Sequence, residues 1–235
     1  MLHDYPGTNA RSEPLFEPER FKDICAEIDR RGLQIAVHAI GDGAVQVTID
    51  GYEAAQQRNG KRDSRHRIEH IEPIDRADAP RLGALGITAS VQPPHPPGAM
   101  DFPMSTMEAV FHRDRWRDAY LWKTLADHGA PLAFASDWPV TDVSVMRGIQ
   151  AALTRAPYEG CQDERVALGR VLHAYTAGGA WAAHLEGLTG RLVPGMAADL
   201  VLIDGDIEAL EPGRIGATGI ALTVAGGRLT HQAPG

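Results

Sequence analysis

Cysteine is nearly missing from this chain. Cys25 and Cys161 are its only two, far apart and outside any CxxC spacing, which argues against a disulfide scaffold and against a thiolate-held metal. Both are expected to be reduced thiols packed as small hydrophobes. Long apolar runs are missing too: no stretch approaches the ~20 residues that span a bilayer. The start, MLHDYPGTNARSEP, has neither a charged n-region nor an apolar h-region, so the expectation is a soluble, cytoplasmic protein. Basic runs are absent, and 23 Lys and Arg against 31 Asp and Glu give a formal charge of -8. No nucleic-acid backbone or anionic membrane surface is therefore expected as a partner. A GxGxxG turn and a P-loop are also lacking, which disfavours an open-sheet phosphate-binding domain.

What is present supports a sizeable core, since 43% of the 235 residues are hydrophobic. From Pro18 to Arg31, Phe21, Ile24, Cys25 and Ile28 share one helical face, and Gly32 stops the helix. A short apolar run, Leu33 to Val37, then reads as a buried parallel strand ending at His38. The unit recurs: a helix from Asp42 to about Gln57, a strand from Arg67 to Ile71, and a helix capped by Asp75 and ended at Gly86. A strand from Ile87 to Gln92, a helix from Tyr120 to His128 and a strand from Leu132 to Ser136 complete the alternation. Such βα alternation implies a parallel sheet, either open or part of a (β/α)8 barrel. Helices are expected near Val145 to Thr154 and Glu164 to His184, after which Asp199 to Asp204 and Ile220 to Val224 read as paired β-strands outside the barrel. Residues 1–190 and 191–235 are expected to form the two units.

Polar residues stand at the C-terminal ends of the four strands: His38, His70, Gln92 and Asp137. In a barrel, catalysis is built at that face. Each residue alone is weak evidence, because a strand-end histidine is readily bonded to a loop carbonyl and an aspartate readily caps a turn. By period two, His66, Ile68 and His70 share one strand face, while Arg67 and Glu69 share the other and are expected to pair. Asp137 interrupts the apolar PLAFASDWPV, where a charge is costly unless a cation or hydrogen bonds receive it. Two imidazoles and one carboxylate suit zinc or another divalent first-row ion.

HAIGDGA, RHRIEH, ASVQP, DRWRDAY, FASDWPV and GRLVPGMAADLVLID stand here in the order that resembles the amidohydrolase superfamily, in the branch of the N-substituted formamide deformylases. The likeness runs from about Leu15 to the end. It implies the C-terminal half of a (β/α)8 barrel, strands five to eight, plus the C-terminal part of a small β-sandwich. It makes His38, His70 and Asp137 metal ligands for one or two ions, and Asp137 the acid/base that carries a proton from water to the leaving nitrogen. The implied substrate is a small-molecule amide, such as a formamide or N-acyl amine. The family's HxH and its bridging lysine or carboxylate have no match here; Lys22, Lys61 and Lys123 fall on helices or turns. The alternative expectation is therefore a shortened, catalytically incompetent chain, a homo-oligomer, or one that needs a complementing N-terminal half. Alone it is expected to hydrolyse poorly even with zinc, since His38 and His70 would share one metal position and Asp137 serve another.

The connection from Gln92 to Trp116 is long and proline-rich for a routine link. Met100, Phe102, Met104, Trp116 and Trp138 are expected to line an apolar pocket, unless the segment is simply an irregular solvent-facing link. Gln92, His95 and Trp138 are the candidate substrate contacts.

Overall fold

The computed structural model describes residues 1–234. Helix α1 (Pro18–Arg30) opens on Glu17, whose carboxylate accepts the Arg20 N–H, and proline occupies its first position. It packs Phe21 and Cys25 onto α2 (Asp42–Asn59), where a Cβ at Gly51 would lie 2.7 Å from the Phe21 ring and 2.9 Å from Cys25 Sγ. Between them runs β1 (Ala36–Ala39), followed after α2 by β2 (Arg67–His70), α3 (Ala79–Leu85) and β3 (Thr88–Val91). Helix α4 (Met104–Val110), a 3-10 turn over Arg113–Asp118 and α5 (Trp122–Asp127) lead to β4 (Leu132–Phe134).

The four strands form one parallel sheet in the order β1-β2-β3-β4, with Ala39 beside His70 and Val91 beside Phe134. The apolar positions of β2 to β4 are buried by helices: Ile68, Ala89, Val91 and Leu132 join Ile49, Leu82, Trp122 and Leu125 in one core, while β1 is exposed but for Ala39 and the half-buried Val37. Helices α6 (Val145–Thr154), α7 (Leu168–Tyr175) and α8 (Ala177–Ala182) follow, then an antiparallel sheet of β5 (Leu200–Ile203), β6 (Ile220–Ala225) and β7 (Arg228–Gln232). The expected pairing of the 199–204 run with the 220–224 run is present, with Val201 opposite Thr223. Ile207 and Ile215 of the intervening segment enter the main core, and Gly216 N–H donates to Gln150 Oε1 of α6 at 2.8 Å.

Several local expectations shift. Strand β1 starts three residues late, because Gln34 is held as an anchor, donating from Nε2 to Arg65 O at 2.7 Å and Ala182 O at 2.6 Å. Asp75 closes a turn on Ala77 N–H rather than capping a helix, and α3 begins at Ala79. Asp42 lies inside its helix behind Gly41, accepting from Leu2 and Gly43 N–H. The single helix expected over 164–184 is two, split at Thr176 (φ -120, ψ -94). Glu164 stays outside both because its carboxylate accepts Thr124 N–H and Oγ1–H. Among the described residues no helix is long and apolar enough to cross a membrane.

Candidate functional site

His38 is the third residue of β1, His70 the last of β2, Gln92 the first beyond β3, and Asp137 lies three beyond β4. Parallel pairing brings these ends to one rim. His70 Nε2 stands 2.8 Å from His38 Nδ1, with ring centroids 4.3 Å apart. His95 stacks almost parallel on His70, centroids 5.6 Å apart at 14°, and its Nε2 stands 3.6 Å from Asp137 Oδ2. Phe102 covers His95 edge-on at 5.5 Å. Donor atoms of His70, His95 and Asp137 all lie within 4.8 Å of one another. The structure thus brings His38, His70 and Asp137 to one place and adds His95.

The backbone at this rim is held in unusual conformations. His70 and Asp137 are non-glycine residues at φ 80 and φ 60, and Ile71 follows at φ 50. Such backbone costs of order 1–3 kcal/mol per residue and clusters where function demands a fixed side-chain aim. His95 is fixed by a different device: its N–H donates to Gln92 O at 3.0 Å, closing a turn, and buried Pro93, Pro94, Pro96 and Pro97 restrict φ on both sides.

Electrostatics favour a neutral imidazole at His70. Burial, and next the neighbouring His38, hold His70 below its ordinary imidazole value. His95 Nδ1 faces Glu72 Oε1 at 3.1 Å, and since a carboxylate only accepts, the proton sits on Nδ1. That leaves Nε2 directed at Asp137. His70 Nδ1 and His95 Nε2 are both buried without a hydrogen-bond partner, an expensive state for two polar atoms on one rim unless they serve a ligand. Imidazole nitrogens beside a carboxylate are a donor set that fits a divalent cation.

The other expected contacts fare differently. Gln92 is buried and its amide is turned back on Ser90 O at 3.4 Å. Trp138 is 67% exposed and Met100 half-buried. Met104 and Trp116 line a cavity of about 420 Å³ with Pro96, Pro97 and Tyr158, immediately after His95 in the chain, whereas Trp138 is not among its walls. Part of the expected apolar pocket therefore exists, built around α4, a helix within the long proline-rich connection. Glu69 pairs with Arg67 at 2.8 Å, away from the rim. The residue that sequence reasoning missed is Glu72: within EHIEPID it reads as one more acidic turn residue, and only the return of the 92–95 turn makes it a histidine partner.

Comparison with known proteins places this geometry. The model of the Amidohydrolase family matches residues 1–231. The chain is similar to Protein LONG AFTER FAR-RED 3 of Arabidopsis thaliana, 36% identical over 193 residues, which is 80% of this chain and 33% of that protein. It is 23% identical over 240 residues to the N-substituted formamide deformylase of Arthrobacter pascens, covering 100% of this chain and 43% of that protein. Among solved structures it resembles an uncharacterized metal-dependent hydrolase from Pyrococcus horikoshii, with a TM-score of 0.73 and 27% identity over 90% of this chain and 42% of that one. The chain thus spans between a third and a little over two fifths of these relatives' own length.

Proposed function

The chain belongs to the amidohydrolase family, and from that premise we propose that it carries part of a metal-dependent hydrolase site for a non-peptide carbon-nitrogen bond, such as that of a formamide or N-acyl amine. The observation that carries this reading is the meeting of His38, His70, His95 and Asp137 at the C-terminal ends of parallel strands, with two imidazole nitrogens buried and unpartnered. In this reading β1 to β4 are strands five to eight of a (β/α)8 barrel, and β5 to β7 part of a small β-sandwich. His38, His70 and Asp137 hold the cation, for which zinc is the first choice. Such an ion supplies Lewis acidity, polarising an amide carbonyl and making water acidic enough to lose a proton near neutral pH.

The chain's own residues do the rest. His70, kept neutral by burial, holds its place without adding charge. Asp137, about a third exposed, is free to move a proton from the attacking water to the leaving nitrogen through Oδ2. The cavity lined by Met104, Trp116 and Tyr158, whose Pro96 and Pro97 directly follow His95, receives an alkyl or aryl substituent. The two free cysteines support a reducing, cytoplasmic setting.

A second reading, a subunit that works only with a complementing half, has its own support. Strand β1 is an edge strand whose outer side is unpaired, and His38 is exposed on it. One experiment addresses both: release of amine from N-formyl and N-acyl amines with added zinc, for this chain alone and mixed with the remaining portion of the Pyrococcus horikoshii relative. Turnover in the mixture that disappears with Asp137→Asn is the expected result. Turnover that survives Asp137→Asn, or amine release in neither sample, would sink the reading.

A further inference from the structure

We propose that the cavity beside α4 is a carboxylate-binding site, in which the buried Arg155 receives a carboxylate carried on an alkyl or aryl group. The inference deepens the reading of that cavity as the receptor of a substrate's substituent. It rests on that reading for one step only, from a bound carboxylate to an amide substrate whose substituent ends in one.

Arg155 stands apart from the other arginines. It is 7% exposed and the only buried arginine among the described residues. No carboxylate of those residues lies within ion-pair distance of it, whereas the other arginines that lack such a partner, Arg20, Arg117, Arg191, Arg214 and Arg228, are all exposed. The end of α6 carries it inward: its N–H closes that helix on Ala151 O, and its guanidinium lies 4.6 Å from the centre of the fully buried Trp122 ring. Nη2 donates to Tyr120 O at 2.7 Å. That bond occupies one of the five N–H donors of a guanidinium, and Nε and Nη1 donate to no group of the described residues.

A guanidinium keeps its proton inside a protein, so the fold holds a buried positive charge with no anion in contact, an expensive arrangement. Burial holds Arg155 below its ordinary value, whereas Arg65, bonded to Glu186 and Asp63, is raised above it. The Trp122 ring offsets part of the cost; a carboxylate offsets the rest. Room for one exists. Arg155 shares the walls of the cavity of about 420 Å³ with Pro96, Pro97, Met104, Trp116 and Tyr158, which suit an apolar chain or ring. Arg113 and Glu159 of the same walls pair with each other. Glu108, the remaining acid of the lining, is solvent-exposed, where water screens it, while the Arg155 charge acts in a low dielectric. A phosphate fits less well than a carboxylate, because its second charge meets no second free cation once Arg113 is held by Glu159. With a formal net charge of -8 the chain repels anions at long range, so retention of one here requires a local site.

The test is binding of phenylacetate and of its neutral counterpart phenylacetamide to the metal-free chain at pH 7, followed by calorimetry and by the nuclear magnetic resonance of arginine Nε–H groups. Without metal the rim takes no part in the measurement. We expect the carboxylate to bind about tenfold or more tighter than the amide and to move the Arg155 Nε resonance. Arg155→Met, which keeps an unbranched stem against Trp122, should bind the two alike. Met104→Trp, which fills the cavity, should bind neither, and the exposed Arg191→Met should behave as the parent does. Should Arg155→Met lose its fold by circular dichroism, the parent's Arg155 resonance and Met104→Trp decide. Equal affinity for acid and amide in the parent overturns the assignment, and so does an acid preference that a folded Arg155→Met or Met104→Trp keeps. The two readings fail separately. Amine release from N-formyl amines with no carboxylate preference in binding sinks this inference and leaves the hydrolase reading standing; a carboxylate preference that depends on Arg155, without amine release, does the reverse.

Discussion

The parallel sheet carries a histidine-carboxylate cluster at each end, and the two are built on opposite principles. At the end where strands begin, Asp29 is 3% exposed and fully occupied. Its Oδ1 accepts from Arg62 Nε at 2.7 Å, Ser64 Oγ at 2.8 Å and His66 Nε2 at 3.1 Å, and its Oδ2 accepts from Asn59 Nδ2 at 2.8 Å. His66 is equally committed, since its Nδ1 accepts the Ile35 N–H at 3.1 Å. Nothing there is left for a ligand, even though Asp29, Arg62 and His66 border a cavity of about 410 Å³. At the other end, His70 and His95 each keep a buried nitrogen unpartnered. The lesson is that residue type does not separate a staple from a site; unfinished hydrogen bonding does.

The largest effect that would break this comparison concerns the two aspartates. Asp29→Ala strands several buried donors at once and should cost about 3–5 kcal/mol, the range for removing one partner of a buried ion pair. Asp137→Ala should change the stability of the metal-free chain by less than about 0.5 kcal/mol. Urea unfolding of both variants checks the contrast, and equal losses would show the two ends to be built alike. Next in size is ligand stabilisation. Zinc at a hundred times its dissociation constant should stabilise the parent by about 2.7 kcal/mol, read as a rise in Tm. His66→Gln should retain that rise and His70→Ala should lose it; a rise kept by His70→Ala counts against a ligand role at the rim.

A smaller, pH-dependent effect sharpens the staple side. Burial holds the His66 imidazole below its ordinary value. For Asp29, burial pushes upward, but hydrogen bonds from Asn59, Ser64 and Arg62 outweigh it and leave the carboxyl low. Both folded values are depressed, so each contribution is present above the unfolded value and lost as pH falls through the folded one. The His66 part is therefore complete above about pH 6.5 and declines below it, and the Asp29 part declines only below about pH 4. Stability of the metal-free chain should fall from pH 7 to pH 5, with a shallower slope in His66→Gln. An unchanged slope in that variant would show that His66 is not held neutral by the fold.

Much of this was legible in the sequence, and the failures have physical causes. Strands β3 and β4 were readable because parallel strands buried on both faces leave continuous apolar runs, and the faces of β2 followed from period two, with His66, Ile68 and His70 inward. Helix α6 fell over the expected Val145–Thr154, and the structure caps it with Ser144. The break at Thr176 and the capture of Glu164 were not readable, since both depend on contacts made between distant segments. At the rim, the strand-end residues His38, His70 and Asp137 were visible because a strand end is a local feature. The place of His95 and Glu72 was not, because their contact exists only once the 92–95 turn folds back over β2. His95 was visible only as a candidate substrate contact; in the fold the prolines around it bury and fix it on His70.

The smallest expected effect concerns backbone strain, and it again sets one end against the other. Asp137 and Arg65 are both non-glycine residues in the left-handed region, at φ 60 and φ 47. Such a conformation costs roughly 1–2 kcal/mol for a residue with a Cβ, less for aspartate, and glycine's extra freedom in the unfolded chain returns about 0.5–1 kcal/mol of any relief. For Asp137 the side chain makes no close hydrogen bond in the metal-free fold, so strain relief is left as the main term. Asp137→Gly should therefore be neutral or stabilising by up to about 0.5 kcal/mol. Arg65 is different: Nη1 donates to Trp181 O at 2.7 Å, Nη2 pairs with Glu186 at 2.7 Å, and the guanidinium lies 4.5 Å from the centre of the Trp181 ring. Removing those contacts outweighs the relief, and Arg65→Gly should destabilise by about 1–3 kcal/mol. Opposite signs for the same backbone substitution, read from urea midpoints at pH 7, would show that the fold compensates strain with bonds at the staple and leaves it uncompensated at the rim. A loss on Asp137→Gly comparable to that on Arg65→Gly would mean that Asp137 is held by contacts of its own and that the rim is an ordinary structural turn.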